Sequence, residues 1–248
     1  GDVTAAITES FERGGGARLP VRPWHVLIAA GFLVYPFLVP DFWRLQIGAY
    51  PLALGIIALS LSFLAGFGGM VSLAQMTVAG MAGYMVAIFG TTSGGHGLGW
   101  PWWAYLPIAL AVPVAVAAAI GWIAVRTAGI YTIMITLAIA VALFYFARQN
   151  YDIFNGFNGF AGLSPPDLFG VDWRSPLPFY FLALGVAAIC YFAVAYVSRS
   201  TFGIALQAIR DNPRRMAAIG FAVNAHRIAA YAFAGLIAAL GGILLVWF

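Results

Sequence analysis

The chain has 248 residues, of which 63% are hydrophobic and 8% are charged, and its formal net charge is +4. Soluble domains carry about 25% charged residues, and even a compact domain of this length leaves much of its surface exposed. The composition therefore excludes a water-soluble protein and indicates one that lipid surrounds.

All twelve basic residues are Arg. They are scattered between apolar runs and form no basic stripe, which argues against a nucleic-acid partner. The P-loop of ATP-binding proteins needs a Lys to reach the phosphates, so this chain contains no such loop. If ATP drives its activity, a separate subunit binds the ATP. The single cysteine, Cys190, lies in an apolar run and is interpreted as a packing residue.

In chain order, the uncharged runs predict an all-α integral membrane protein, a helical bundle with about seven spans. A helix needs roughly 20 apolar residues to cross the hydrocarbon core, and the runs lack the two-residue alternation of membrane strands. The predicted spans are 24–40, 45–64, 69–90, 102–124, 128–147, 177–197 and 228–248.

The segment 1–23 is polar and is predicted to be an N-terminal tail, followed by a transmembrane domain over 24–248. The last span ends at Phe248 without a polar residue after it, so we expect the chain to be incomplete at its C-terminus. Small residues within the spans, Gly80 with Gly83 and Gly235 with Ala239, are expected where helices touch, because they allow close backbone approach.

The distribution of Arg predicts the orientation of the spans, since cytoplasmic loops carry an excess of basic residues. With the N-terminus in the cytoplasm, three Arg fall outside, at positions 44, 148 and 174. The other nine fall inside, at positions 13, 18, 22, 126, 199, 210, 214, 215 and 227. We therefore expect a cytoplasmic N-terminus.

Polar side chains inside two predicted spans are candidates for a translocation path. Ser72, Gln75 and Thr77 lie in the third span, and Thr132 and Thr136 lie four residues apart on one face of the fifth. Polar groups at membrane depth usually face protein or a water-filled path. Hydroxyl groups can instead bond to the backbone of their own helix, so both interpretations remain open.

The acidic residues argue against proton relay, because all of them lie in tails, loops or span ends rather than at mid-membrane. An ion-coupled secondary transporter nevertheless remains the main alternative. An intramembrane enzyme is disfavoured because the chain lacks the HExxH and GxSxG motifs. The three His residues are far apart in the sequence, and no metal site is predicted.

The segment 198–227, between the sixth and seventh predicted spans, is too polar to cross the membrane. Phe202 to Arg210 has helix formers and an apolar face, and Asn212 with Pro213 predicts a helix stop followed by a new start. Gly220 is placed to end the second helix. The pattern predicts two short helices that project into the cytoplasm and could dock on a soluble partner; from the residues alone, an ordinary basic cytoplasmic loop is the open alternative.

Three stretches resemble permeases for branched-chain amino acids: 66–84, 126–163 and, most specifically, FGIALQAIRDNPRRMAAIGFAVNAHR within the segment 198–227. The second stretch is most similar to the M-type permease subunits of high-affinity branched-chain amino acid ABC importers. The likeness covers nearly all of 45–248. Pro213 within the third stretch, and Val78 and Ala79 where relatives often carry Phe, depart from the family pattern.

This resemblance implies a fold like that of type II ABC importer permeases, in the bacterial inner membrane. It also implies partners: two ATPase subunits that bind the ATP, a second permease subunit and a periplasmic binding protein, with no cofactor on this chain. The implied residues of the ATPase-coupling interface are Phe202, Gly203, Ala208, Arg210, Asp211, Arg214, Arg215 and Gly220. The expected substrates are leucine, isoleucine and valine; urea, short amides and other amino acids are the alternatives within the class.

Overall fold

The computed structural model describes residues 22–90 and 97–248, except 157, 161, 164, 168, 169 and 171. The described residues form helices and connecting segments without a β-strand, as predicted. Of the predicted N-terminal tail, residues 1–21 lie outside the described residues. The helices are α1 (Pro23–Leu38), α2 (Asp41–Gly68), α3 (Gln75–Phe89), α4 (Trp102–Ala124), α5 (Ile130–Gln149), α6 (Pro176–Arg199), α7 (Thr201–Asp211), α8 (Pro213–Ile219) and α9 (Val223–Trp247).

The chain divides into two compact units, Gly1–Leu38 and Val39–Phe248. The described part of the first unit is α1, an apolar helix of 16 residues with Pro36 inside it. The second unit contains α2 to α9 and all the candidate site residues.

Within the described part of the chain, five helices are long and apolar enough to cross a membrane: α2, α4, α5, α6 and α9. The predicted count of about seven is not confirmed, because α1 has 16 residues and α3 has 15. At 1.5 Å per residue these helices are about 24 and 22 Å long, shorter than a hydrocarbon core of about 30 Å.

The third predicted span, 69–90, is not one continuous helix. The helix α2 ends at Gly68, and Gly69 takes the left-handed conformation (φ 65°), from which its amide donates to the Ala65 carbonyl at 3.1 Å. Glycine adopts this conformation without the steric cost of a side chain. Helix α3 begins only at Gln75, so residues 69–74 form a non-helical segment, which we call the break.

The first part of α2 is widened. Residues Arg44–Ala49 are π-helical, and the amide of Tyr50 donates to the Leu45 carbonyl, five residues back. Pro51 explains the change of register, because proline has no N–H to offer the carbonyl four residues before it and its ring would collide with that carbonyl.

Helix α9 is the centre of the second unit and packs against α2, α3 and α4. Its glycines permit this: a Cβ on Gly235 would meet Ala117 of α4, one on Gly241 would meet Ile57 of α2, and one on Gly242 would meet the Ala79 backbone of α3. The expectation of close contact at Gly235 is therefore confirmed.

On α3, Gly83 also contacts α9, at Val246, but Gly80 is exposed with open space beside it. The expectation that Gly80 lies at a helix contact is wrong. Three residues along a helix correspond to a rotation of about 300°, which leaves the two glycines about 60° apart, so Gly83 faces α9 while Gly80 lies beside that contact face.

Helix α5 lies at the edge of the bundle. Among the described helices it contacts only α3 and α4, and its buried residues are Thr132, Thr136 and Ala147. Large apolar side chains, including Met134, Leu137 and Phe144, are exposed along the rest of it. Such a surface suits lipid or another membrane-embedded subunit and not water.

Candidate functional site

Helices α7 and α8 form the two-helix element predicted for the segment 198–227. The Ser200 hydroxyl accepts a hydrogen bond from the Gly203 amide (3.3 Å) at the start of α7. The Asn212 side chain accepts from the Arg215 amide (3.0 Å), and Pro213 is the first residue of α8. The stop and restart are therefore encoded by local capping.

Gly220 ends α8 as predicted. It has φ 103°, its amide donates to the Ala217 carbonyl, and the Phe221 amide donates to the Met216 carbonyl, both at 3.1 Å. This pair of bonds is the Schellman arrangement, which requires a left-handed residue and so favours glycine.

One face of α7 packs on α2, α6 and α9, with Gly203, Ala205, Leu206 and Ile209 buried. Helix α8 has no buried residue. The two helices therefore differ in role: α7 is attached to the membrane helices, whereas α8 projects from them. We call the end of the bundle from which α8 projects the α7–α8 end.

The eight predicted interface residues fall into three groups. Phe202, Gly203 and Ala208 lie on α7 and are partly or fully buried, with the Phe202 ring stacked on His226 of α9 at 5.7 Å. Arg214, Arg215 and Gly220 are exposed on α8 and at its end.

Within the described part of the chain, Arg214 and Arg215 form no ion pair. Arg214 also lines an open groove of about 500 Å³ between α8 and the start of α9, with Pro213, Ala217, Ala222, Val223, Asn224 and Ala225.

Arg210 and Asp211 form the third group, at the end of α7. The Arg210 Nε donates to the Asp211 carboxylate at 3.0 Å, and a terminal guanidinium nitrogen of Arg210 donates to the Gly66 carbonyl of α2. Although its side chain is 38% exposed, Arg210 is therefore joined to a membrane helix of its own chain.

Four of the five predicted path residues are buried: Ser72 in the break, Gln75 at the start of α3, and Thr132 and Thr136 on α5. The Ser60 hydroxyl of α2 donates to the Gln75 side-chain oxygen at 3.1 Å. The Leu73 amide donates to the Thr136 hydroxyl at 3.2 Å, which connects the break to α5. We call Ser60, Ser72, Gln75, Thr132 and Thr136 the polar cluster. Thr77, the fifth path residue, is only partly buried.

Two residues that bond to the predicted path residues, Ser60 and Thr127, were not selected from the sequence. Ser60 lies in an apolar run like the residues that were selected, and the same criterion would have found it. Thr127 precedes α5, and its hydroxyl lies 3.0 Å from that of Thr132. The break itself had a signal, the GFGG of 66–69, because paired glycines favour the end of a helix.

The opposite end of the bundle is closed by aromatic packing. Phe154, which follows α5, is buried and contacts Tyr84 of α3 (5.0 Å between ring centroids) and Phe146 of α5 (5.7 Å). Asn155 has φ 55°, and its side-chain amide donates to the Gly159 carbonyl at 2.7 Å. These turns hold Phe154 against the aromatic side chains of the two helices.

Comparison with known proteins gives one finding. A family model described as "Branched-chain amino acid transport system / permease component" matches residues 45–248, which contain the break, the polar cluster and the α7–α8 pair. No curated protein and no solved structure matches the chain.

Proposed function

The chain belongs to the family of permease components of branched-chain amino acid transport systems, and we propose that it is a permease subunit of an ATP-driven importer of leucine, isoleucine and valine. Family membership and the apolar helices indicate a multi-pass membrane protein, a transport subunit rather than an enzyme. A component of a transport system works with partner subunits.

The main support for an ATP-driven importer is the α7–α8 pair, which lies between the membrane helices α6 and α9. Helix α8 is exposed, carries two Arg without an ion pair in the described region, and borders an open groove. A projecting helix of this kind suits a soluble partner that moves. In the proposed assembly the partners are two ATPase subunits, which bind the ATP, a second permease subunit and a periplasmic binding protein.

The proposed location is the bacterial cytoplasmic membrane, with the N-terminus and the α7–α8 end in the cytoplasm. The support is the bias of Arg toward one set of loops, which includes Arg199, Arg214 and Arg215. ATPase subunits in the cytoplasm would then meet α8 directly.

The proposed substrate path passes the break and the polar cluster. Helix α3 begins next to the break at the buried Gln75, and its N-cap residue Ala74 makes no side-chain cap. The free amide groups and dipole of such a helix end attract anionic groups, and discontinuous membrane helices form substrate sites in other transporters. The carboxylate of an amino acid fits this chemistry, and the burial of Ser72, Gln75, Thr132 and Thr136 corresponds to a closed path.

Competition for uptake tests the substrate class. The complete importer is reconstituted in vesicles with ATP and binding protein, and uptake of labelled leucine is measured. We expect isoleucine and valine to compete, and urea, short amides and a sugar not to compete. Inhibition by urea or an amide in place of valine would contradict the proposed substrates.

A further inference from the structure

Arg210 joins the α7–α8 pair to the end of α2. Its guanidinium donates to the carbonyl of Gly66, in the last turn of that helix. Carbonyls in the last turn of a helix have no amide partner four residues on, and a cation there also favours the negative end of the helix dipole. Arg210 is therefore a C-terminal cap for α2, supplied by a helix far away in the sequence.

The same side chain lies against the first residue of the break. A Cβ on Gly69 would collide with the Arg210 side chain, which lies directly over this left-handed residue. Asp211 fixes the guanidinium from the other side through its bond to Nε. Arg210 thus contacts both the last turn of α2 and the start of the break.

Beyond Gly69, the break is held by the polar cluster. Thr136 of α5 accepts from the Leu73 amide, and Ser60 of α2 donates to Gln75, the first residue of α3. The side chains of Ser60, Gln75 and Thr136 are buried, and buried polar groups that lose a partner carry a large cost. A shift at Gly66 and Gly69 would therefore reach α3 and α5 through bonded groups.

We propose that Arg210 is a positioning residue that transmits movement of the α7–α8 pair to the break, instead of contacting the ATPase as the sequence predicted. This inference rests on the proposed function. In packed helices small shifts are converted to discrete rearrangements, and the break, which lacks the internal bonds of a helix, is the element that can rearrange.

The first test needs no transport. Amide hydrogen exchange of residues 69–75 is measured in the purified chain in lipid nanodiscs, for the wild type, Arg210→Ala, Arg210→Lys and Arg214→Ala. Loss of a hydrogen bond from a charged donor should raise exchange about tenfold in Arg210→Ala. Arg210→Lys, which keeps a donor and the charge, should remain closer to wild type. The matched variant Arg214→Ala should leave these amides unchanged, because it lies on α8 away from α2.

The second test measures leucine uptake and ATP hydrolysis in the complete importer. In Arg210→Ala we expect ATP hydrolysis to persist, while leucine moved per ATP falls at least about fivefold, the lower end of usual coupling between sites, with recovery in Arg210→Lys. Unchanged exchange at 69–75, or an unchanged ratio of uptake to hydrolysis, would overturn the inference. Lack of uptake by the wild type would contradict the proposed function, whereas the exchange result would still decide whether Arg210 holds the break.

Discussion

At the scale of single residues, Thr136 shows why a polar side chain occurs at membrane depth. Its hydroxyl donates to carbonyls of its own helix, at Thr132 (3.0 Å) or Ile133 (2.9 Å), and accepts from the Leu73 amide of the break. The hydroxyl therefore bonds to its own helix, as one of the two interpretations predicted, and it also accepts from a neighbouring segment. An apolar side chain of the same shape could do neither.

Thr136→Val is predicted to destabilise the protein, because it removes the acceptor of the part-buried hydrogen bond from the Leu73 amide. The net contribution of one such hydrogen bond is about 0.5–1.5 kcal/mol. Thr136→Ser keeps the hydroxyl and should retain most of the stability. Thermal unfolding of the purified variants in detergent measures the difference, and equal midpoints for Val and wild type would show that this bond contributes nothing.

The identities of the cluster residues were predictable, but their partners were not. Ser72, Gln75, Thr132 and Thr136 stand out as polar residues in apolar runs. Which groups they bond depends on how α2, α3 and α5 pack, and this packing is not a local property of the sequence. For the same reason the bond from Arg210 to the Gly66 carbonyl was not predicted, since nothing near Arg210 in the sequence indicates Gly66.

At the scale of elements, the α7–α8 pair follows from its own residues, whereas the break does not follow from hydropathy. Ser200, Asn212, Pro213 and Gly220 act within one turn of where they stand. An apolar run such as 69–90 is equally compatible with a full span and with a non-helical start followed by a short helix. Hydropathy measures only the transfer of side chains to lipid and contains no information on backbone geometry.

The close contact between α9 and α3 gives a prediction at this scale. Gly242→Ala should destabilise the bundle by about 1–3 kcal/mol, the usual cost of overpacking, because the added methyl group would meet the Ala79 backbone, which cannot rotate away. Gly80→Ala is the matched control: it lies on α3 with open space around it, so the gain in helix propensity should make it neutral or slightly stabilising. Thermal unfolding in detergent compares the two, and similar losses in both would contradict the assigned contact.

At the scale of the whole molecule, composition was sufficient to predict a helical membrane protein. It was not sufficient to predict the number of spans. Two apolar segments are shorter as helices than the hydrocarbon core is thick, and one of these, α3, is shortened by the break. The arrangement around α9 depends on glycines at Gly235, Gly241 and Gly242, whose partners lie on three different helices. Pairwise packing of this kind is not encoded in any single run of the sequence.

ATP, hydrolysed by a partner subunit, is proposed to drive transport through this subunit. The most direct measurement compares leucine uptake into proteoliposomes under two energy sources: ATP with the complete set of subunits and binding protein, and a proton or sodium gradient without ATP. We predict accumulation only when ATP and the binding protein are both present. Accumulation that follows the ion gradient in the absence of ATP would contradict the account and favour a secondary carrier.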